Sequence, residues 1–280
     1  MKLATIRTPD ATRAVKLEDS VLVDLGEPDL GTLLARPDWA EIAAARTVAS
    51  GAATYDVEGA DFAPVVPQPS KVICVGHNYS RHIEEMGREL PSYPTLFPKF
   101  ADTLTGANDP VEKPAETDAL DWEVELVVVV GKPVRRASED EAAAAIAGFT
   151  VMNDVSVRDW QFRTIEWTQG KIWDSSTPVG PYLVTPDEVG GVRPALEVST
   201  TVDGQVMQRD NTGTLLFDPV LLVQYVSTIT RLNPGDLIAT GTPAGVGHAR
   251  DPQVYLAGGE TVVTEIEGLG ACTNVIVKGS

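Results

Sequence analysis

Glu123 and Glu125 stand two residues apart in DWEVEL, immediately ahead of the run VVVVG. Successive strand side chains point to opposite faces, so both acids project from one face, while Trp122, Val124 and Leu126 take the other. Two ionised carboxylates on a desolvated face repel and raise each other's pKa unless a cation, a shared proton or water lies between them. A hard divalent ion such as Mg²⁺, which takes carboxylate oxygens at about 2.1 Å, cancels that repulsion. Asp154, at the end of the apolar stretch FTVMNDV, is the expected third ligand. Such a glutamate pair is far more often the solvated face of an edge strand. The adjoining valines argue for burial instead.

Further chemistry-bearing residues fall at turns. In VGHNYSRHIEEMG, His82 and Glu85 are three apart and share a face of a short helix, where a carboxylate on one imidazole nitrogen leaves the other as a base near neutral pH. The same spacing also suits an ordinary surface hydrogen bond. Lys171 lies among turn formers in QGKIWDSSTPVGP, and IATGTPAGVG reads as a strand entering a glycine loop whose amides can hold a carboxylate or oxyanion. That loop is neither a Walker A motif nor a dinucleotide fingerprint, which argues against nucleotide binding.

The elements that must position these residues are mostly short strands. Residues 1–68 alternate strand-like pieces with one helical stretch and read as a small N-terminal α+β domain. The proline-rich FAPVVPQPSK is expected to link it to a larger domain, 69–280, that opens with the strand KVICVG. Ser138 and Glu141 form a capping box before EAAAAIA, a helix that Gly148 is expected to end. Asp218 and Pro219 start a second helix, and Asp203-Gly204 marks a hairpin. No internal repeat is visible.

The chain has 280 residues, 43% of them apolar and 22% charged, enough for one substantial core. Its net charge of −18 would repel nucleic acid and disfavour anionic small molecules, so a pocket for an anion needs its own cations. No apolar run approaches the roughly 20 residues of a membrane span, and the N-terminus lacks a signal-peptide plan. A cytoplasmic location is expected. Cys74 and Cys272 stand far apart with no metal spacing and read as reduced packing thiols.

In order along the chain, GHNYSRHIEE, the EVE strand, NDVSVRDWQ, GKIWDSSTPVGP and LNPGDLIATGTPAGVG resemble the fumarylacetoacetate hydrolase family over residues 71–277. The resemblance implies an α+β fold, a mixed β-sheet roll that is partly closed and barrel-like, usually in a homodimer. It implies a site for Mg²⁺, with Mn²⁺ or Ca²⁺ as alternatives, held by Glu123, Glu125 and Asp154. His82 and Glu85 correspond to the water-activating pair, Lys171 to the catalytic lysine, and Arg158, Gln161 and Thr242 to substrate contacts. His77, Tyr79 and Arg81 are expected to line the outer pocket. An acidic fourth ligand found in some members near His77 or Asn78 is missing here.

The expected function is metal-dependent hydrolysis of a C–C bond in an acylpyruvate, with His82 preparing the water. Decarboxylation of oxaloacetate and isomerisation of a 2-oxo acid use the same site and stay open. So does a non-catalytic ligand-binding protein, although the retained Lys171 and His/Glu pair speak against it.

Overall fold

The computed structural model describes residues 1–80 and 89–279. The strand carrying the second acid, Val124–Val130, is buried at every position, as expected where both faces of a sheet are covered. It lies between antiparallel neighbours Ile146–Asn153 and Leu237–Ala239, with Val124 opposite Asn153 and Val127 opposite Ala239. Val124, Leu126, Val128 and Val130 enter one core layer with Phe149 and Val151, and with Val220, Val223 and Val226 of helix Pro219–Ile229. Val127 and Val129 enter the opposite layer, against Leu30, Leu33 and Leu237. Glu125, and Glu123 beyond it, continue this second face where its apolar residues run out.

Among the described residues the main sheet has twelve strands. Its path runs from Thr54–Asp56 through Val21–Asp24, Thr12–Glu18, Lys2–Arg7, Thr177–Val184 and Ile146–Asn153 to Val124–Val130. It continues through Leu237–Ala239 and Val72–Gly76 to the other edge, Thr95–Lys99. Leu237–Ala239 runs parallel to Val72–Gly76, so the sheet is mixed. Its two ends do not pair, and the roll stays open. A five-stranded sheet that includes Glu197–Val202, Thr261–Ile266 and Gly270–Lys278 packs over the first layer through Val198, Ile266 and Cys272. The fold is α+β, mostly sheet with few helices.

The strands of residues 1–68 extend this same main sheet, because Lys2–Arg7 pairs with Thr177–Val184. The proline-rich stretch is seated on it: Val65 and Val66 are buried, and the Val65 N–H donates to the Val179 carbonyl.

The helix expected after Ser138 forms over Glu139–Ala145, with the capping box made. Gly148 does not end it. The chain turns directly into Ile146–Asn153, and Gly148 lies inside that strand, where a Cβ would sit 2.2 Å from the Val184 carbonyl oxygen. Here the glycine permits close strand approach, a role easily mistaken for a helix stop. Asp218 caps its helix by accepting from the Val220 and Leu221 N–H groups, and Asp203 and Gly204 take the left-handed conformations of a tight hairpin. Cys74 and Cys272 are buried free thiols.

Candidate active site

The two strands that carry the acids converge through backbone bonds at their ends. The Asp154 N–H donates to the Glu123 carbonyl at 2.8 Å, and the Asn153 side-chain oxygen accepts from the Glu123 N–H at 3.0 Å. These ties bring Glu123, Glu125 and Asp154 together, with one ligand oxygen from each within 4.8 Å of the others, all three residues buried. Glu125 also accepts from the Gly241 N–H at 2.8 Å. Gly241 has φ of +100°, a left-handed conformation that glycine adopts without strain, and this aims its amide inward.

Three buried cations interlock with the acids. Lys171, after the 3-10 turn Trp167–Gly170, donates to Glu123 Oε2 and Asp154 Oδ2, each at 2.8 Å. Lys99, at the end of the edge strand, donates to Asp154 Oδ1 at 2.8 Å and to the Lys171 carbonyl. Arg158 reaches Glu123 Oε1 at 2.7 Å, and its Nε donates to Asp121 Oδ2 at 2.8 Å. Burial pulls the Lys171 ammonium down, but Asp154 and Glu123 outweigh it and hold its pKa above the ordinary lysine value. Arg158 is held up likewise by Asp121 and Glu123 against its burial.

The carboxylates Asp121, Glu123, Glu125 and Asp154 thus face Lys99, Lys171 and Arg158, one negative charge in excess. Glu125 carries the surplus: burial, with Asp154 and Glu123 adding to it, pushes its pKa well above the usual carboxylate range. A divalent cation can take the place of that proton. The donor set is all oxygen and buried, which fits Mg²⁺, Mn²⁺ or Ca²⁺ and not a soft metal.

Glu123 and Glu125 open onto a cavity of about 270 Å³, with Asp154 buried behind them. Its wall includes His77, Gln161, Lys171 and Thr242 beside the acids, and apolar Phe97, Trp167 and Val246. Arg158 holds the Gln161 side-chain oxygen at 2.9 Å, and Gln208 donates to the Thr242 hydroxyl at 2.8 Å. Trp167 meets His77 edge-on, with centroids 5.1 Å apart. Of the residues singled out from sequence, Glu123, Glu125, Asp154, Lys171, Arg158, Gln161, Thr242 and His77 come together here. His82, Glu85 and Arg81 lie outside the described residues. Tyr79 does not line the cavity; it is fully buried and bridges to Leu215. Trp160 packs on Trp173 under the Arg163 guanidinium.

The sequence reading passed over Lys99, Asp121, Gln208 and His248. Asp121 accepts from the Gly247 and His248 N–H groups at 2.7 and 2.9 Å, fixing the end of the glycine loop while holding Arg158. Gln208 accepts from the Val124 N–H at 3.2 Å and so joins the acid strand to the Thr242 loop. A buried acid beside Trp122 in DWEVEL was the available signal for Asp121; the other three had none without the fold.

Residues 71–277 match the family described as Fumarylacetoacetate (FAA) hydrolase C-terminal. The mitochondrial oxaloacetate tautomerase Fahd2a of Rattus norvegicus is 42% identical over 217 residues, covering 77% of this chain and 69% of that protein. The fumarylacetoacetate hydrolase of Exiguobacterium antarcticum superposes with a TM-score of 0.88 at 31% identity over the whole of both chains. The 5-carboxymethyl-2-hydroxymuconate delta-isomerase of Mycobacterium smegmatis gives 0.82 at 32% identity, again over both whole chains. Among the described residues no helix is long and apolar enough to cross a membrane.

Proposed function

The chain belongs to the fumarylacetoacetate hydrolase family, and from that premise we propose that it interconverts the keto and enol forms of a short 2-oxo dicarboxylic acid such as oxaloacetate, using a divalent cation. The observation that carries this reading is the cluster at the cavity, where three buried carboxylates, two of them lining the cavity, meet the Lys171 and Arg158 cations. Relatives at this level of identity are named oxaloacetate tautomerases, which supports tautomerisation among the reactions open to a 2-oxo acid.

Glu123, Glu125 and Asp154 would hold the cation, which when bound supplies a Lewis acid for the substrate's carboxylate and 2-oxo oxygens. Lys171, hydrogen-bonded to Glu123 and Asp154, is placed to donate to negative charge that develops beside them. Arg158 adds a second fixed positive charge. Together they offset the repulsion of a chain whose net charge is −18. In enolisation a proton leaves the carbon beside the 2-oxo group and one arrives on the oxygen, so no water is consumed. His77, on the cavity wall, is the imidazole we assign to that proton. Phe97 and Trp167, apolar rings beside His77 and Lys171, would limit water at the reacting carbon.

Hydrolysis of an acylpyruvate additionally requires a prepared water. The pair suited to that, His82 with Glu85, lies outside the described residues, and no described residue favours it over enolisation.

Stopped-flow absorbance of freshly dissolved enol-oxaloacetate is expected to show Mg²⁺- or Mn²⁺-dependent decay that EDTA abolishes and His77→Asn slows. Asparagine suits the left-handed backbone of residue 77, where φ is +57°. Cation-dependent release of pyruvate from acylpyruvates, with no effect on the oxaloacetate equilibrium, would replace this reading by the hydrolase.

A further inference from the structure

The cavity wall also includes Phe162 and, from the glycine loop, Val246, His248 and Ala249. His248 is the polar ring of this part of the wall, and its backbone is held in place. Asp121 accepts from the backbone of Gly247 and His248 with one carboxylate and binds Arg158 with the same group. Arg158 in turn reaches Glu123 at 2.7 Å. The turn bearing His248 is therefore tied to the acid cluster through two side chains.

The ring's hydrogen bonds also settle its tautomer. Nδ1 is 2.8 Å from the Tyr255 hydroxyl and 3.3 Å from Gln253 Nε2. The same Gln253 nitrogen donates to the His248 carbonyl at 3.1 Å, which orients the amide as a donor. With donors on that side, Nδ1 accepts, and the neutral ring carries its proton on Nε2. Burial, followed by the Arg158 charge, lowers the imidazole pKa against the opposing pull of Asp121, so the ring is neutral at neutral pH. Phe162 lies against it, centroids 5.0 Å apart and planes 32° from parallel.

We propose that His248 Nε2–H, held between Phe162 and Tyr255, is the specificity group that recognises the distal carboxylate of a 2-oxo diacid whose 2-oxo end lies at Glu123, Glu125 and Asp154. The assignment rests on the 2-oxo acid reading of the same cavity. Its consequence is a division of labour: the acid cluster accepts any 2-oxo acid, and His248 sets the preference for a second acid group.

The test uses a matched pair of equal chain length, 2-oxoglutarate and 2-oxopentanoate, which differ only in the distal carboxylate. Calorimetric titration of the Mn²⁺-loaded protein is expected to give about tenfold tighter binding of 2-oxoglutarate, the order of one hydrogen bond to a charged acceptor. His248→Phe, which keeps a ring against Phe162, should bring the two affinities together, and His248→Gln, which keeps a donor, should largely retain the preference. His248→Ala leaves the backbone bonds to Asp121 in place and serves as a second removal. Mn²⁺ affinity should be unchanged in all three. A wild-type ratio surviving in His248→Phe or His248→Ala, or a wild-type protein that binds both acids equally, overturns the role of His248 alone. A Mn²⁺-loaded wild type that binds neither acid overturns the 2-oxo acid reading and this assignment with it.

Discussion

The charged cluster beneath the cavity and the wall around His248 are built differently. At the floor, Glu123, Asp154, Lys99, Lys171 and Arg158 are buried and cross-linked, and Lys171 and Lys99 each make two bonds within the group. In that wall, His248 is half-buried and Phe162 is 45% exposed, held by ring contacts and by a turn. A buried charge tolerates few alternatives, because each partner removed leaves another unpaired. A half-exposed wall can change residue without disturbing the core. On the proposed reading, the charged cluster would fix which functional group is gripped, and the more exposed wall could vary to choose among molecules that carry it.

The harshest way to break that contrast is to remove one floor acid. Asp154→Ala leaves the Lys99 and Lys171 ammoniums without a shared counter-charge in a site from which water is largely excluded. It is expected to destabilise the fold by about 3–5 kcal/mol and to abolish Mn²⁺ binding. Urea unfolding followed by tryptophan fluorescence, with Mn²⁺ titration monitored by electron paramagnetic resonance, measures both. Near-wild-type stability would mean that the floor is not interlocked.

Lys171→Met is milder to the fold and sharper on the chemistry. It removes the donor assigned, on the proposed reading, to developing charge, and a fall in kcat of about 10²–10³-fold is expected, comparable to loss of one oxyanion donor. Mn²⁺ should still bind, since all three acids stay. A rise in KM with unchanged kcat would instead make Lys171 a ground-state anchor.

The same contrast governs what could be read in the sequence. Glu123 and Glu125 were legible because strand alternation next to a valine run puts acids where only a compensated charge can survive, and Asp154 because an apolar strand ended on it. Arg158, Gln161 and Thr242 came only through family resemblance, since nothing in their spacing marks them. Lys99 was invisible: a lysine ending an edge strand reads as solvated, and its partner Asp154 is 55 residues away. Tyr79 shows the converse error. It was expected in the outer pocket with His77 and Arg81, but it bridges to Leu215 and is fully buried. The glycine of residue 148 misled because close strand packing and helix termination leave the same local mark. His248 follows a glycine loop with no periodic pattern, and its role depends on Asp121, Gln253 and Tyr255 meeting in space.

The smallest expected effect probes the wall around His248 through its proton. His248 is held below the ordinary imidazole value of about 6.5 by burial and by Arg158, with Asp121 opposing. Between that lowered value and the ordinary one, the unfolded chain binds more protons at this site than the folded protein does. Stability contributed by the site is therefore present above the ordinary value and is lost as pH falls through that window towards the lowered one. The urea midpoint should accordingly decline slightly more on acidification in the wild type than in His248→Gln, a difference small enough to need paired measurements. Ring-proton resonances give the direct reading, and with three histidines in the chain the His248 signal is assigned by its absence from the variant. Its titration should move upward when 2-oxoglutarate binds the protein loaded with diamagnetic Mg²⁺, because a carboxylate beside Nε2 favours the charged ring, and should not move with 2-oxopentanoate. A titration at or above the ordinary value in the free protein would remove the argument for a neutral donor and leave the ring as an added cation. That wall would then select diacids by charge, as the floor does, and the contrast between the two regions would narrow to one of burial.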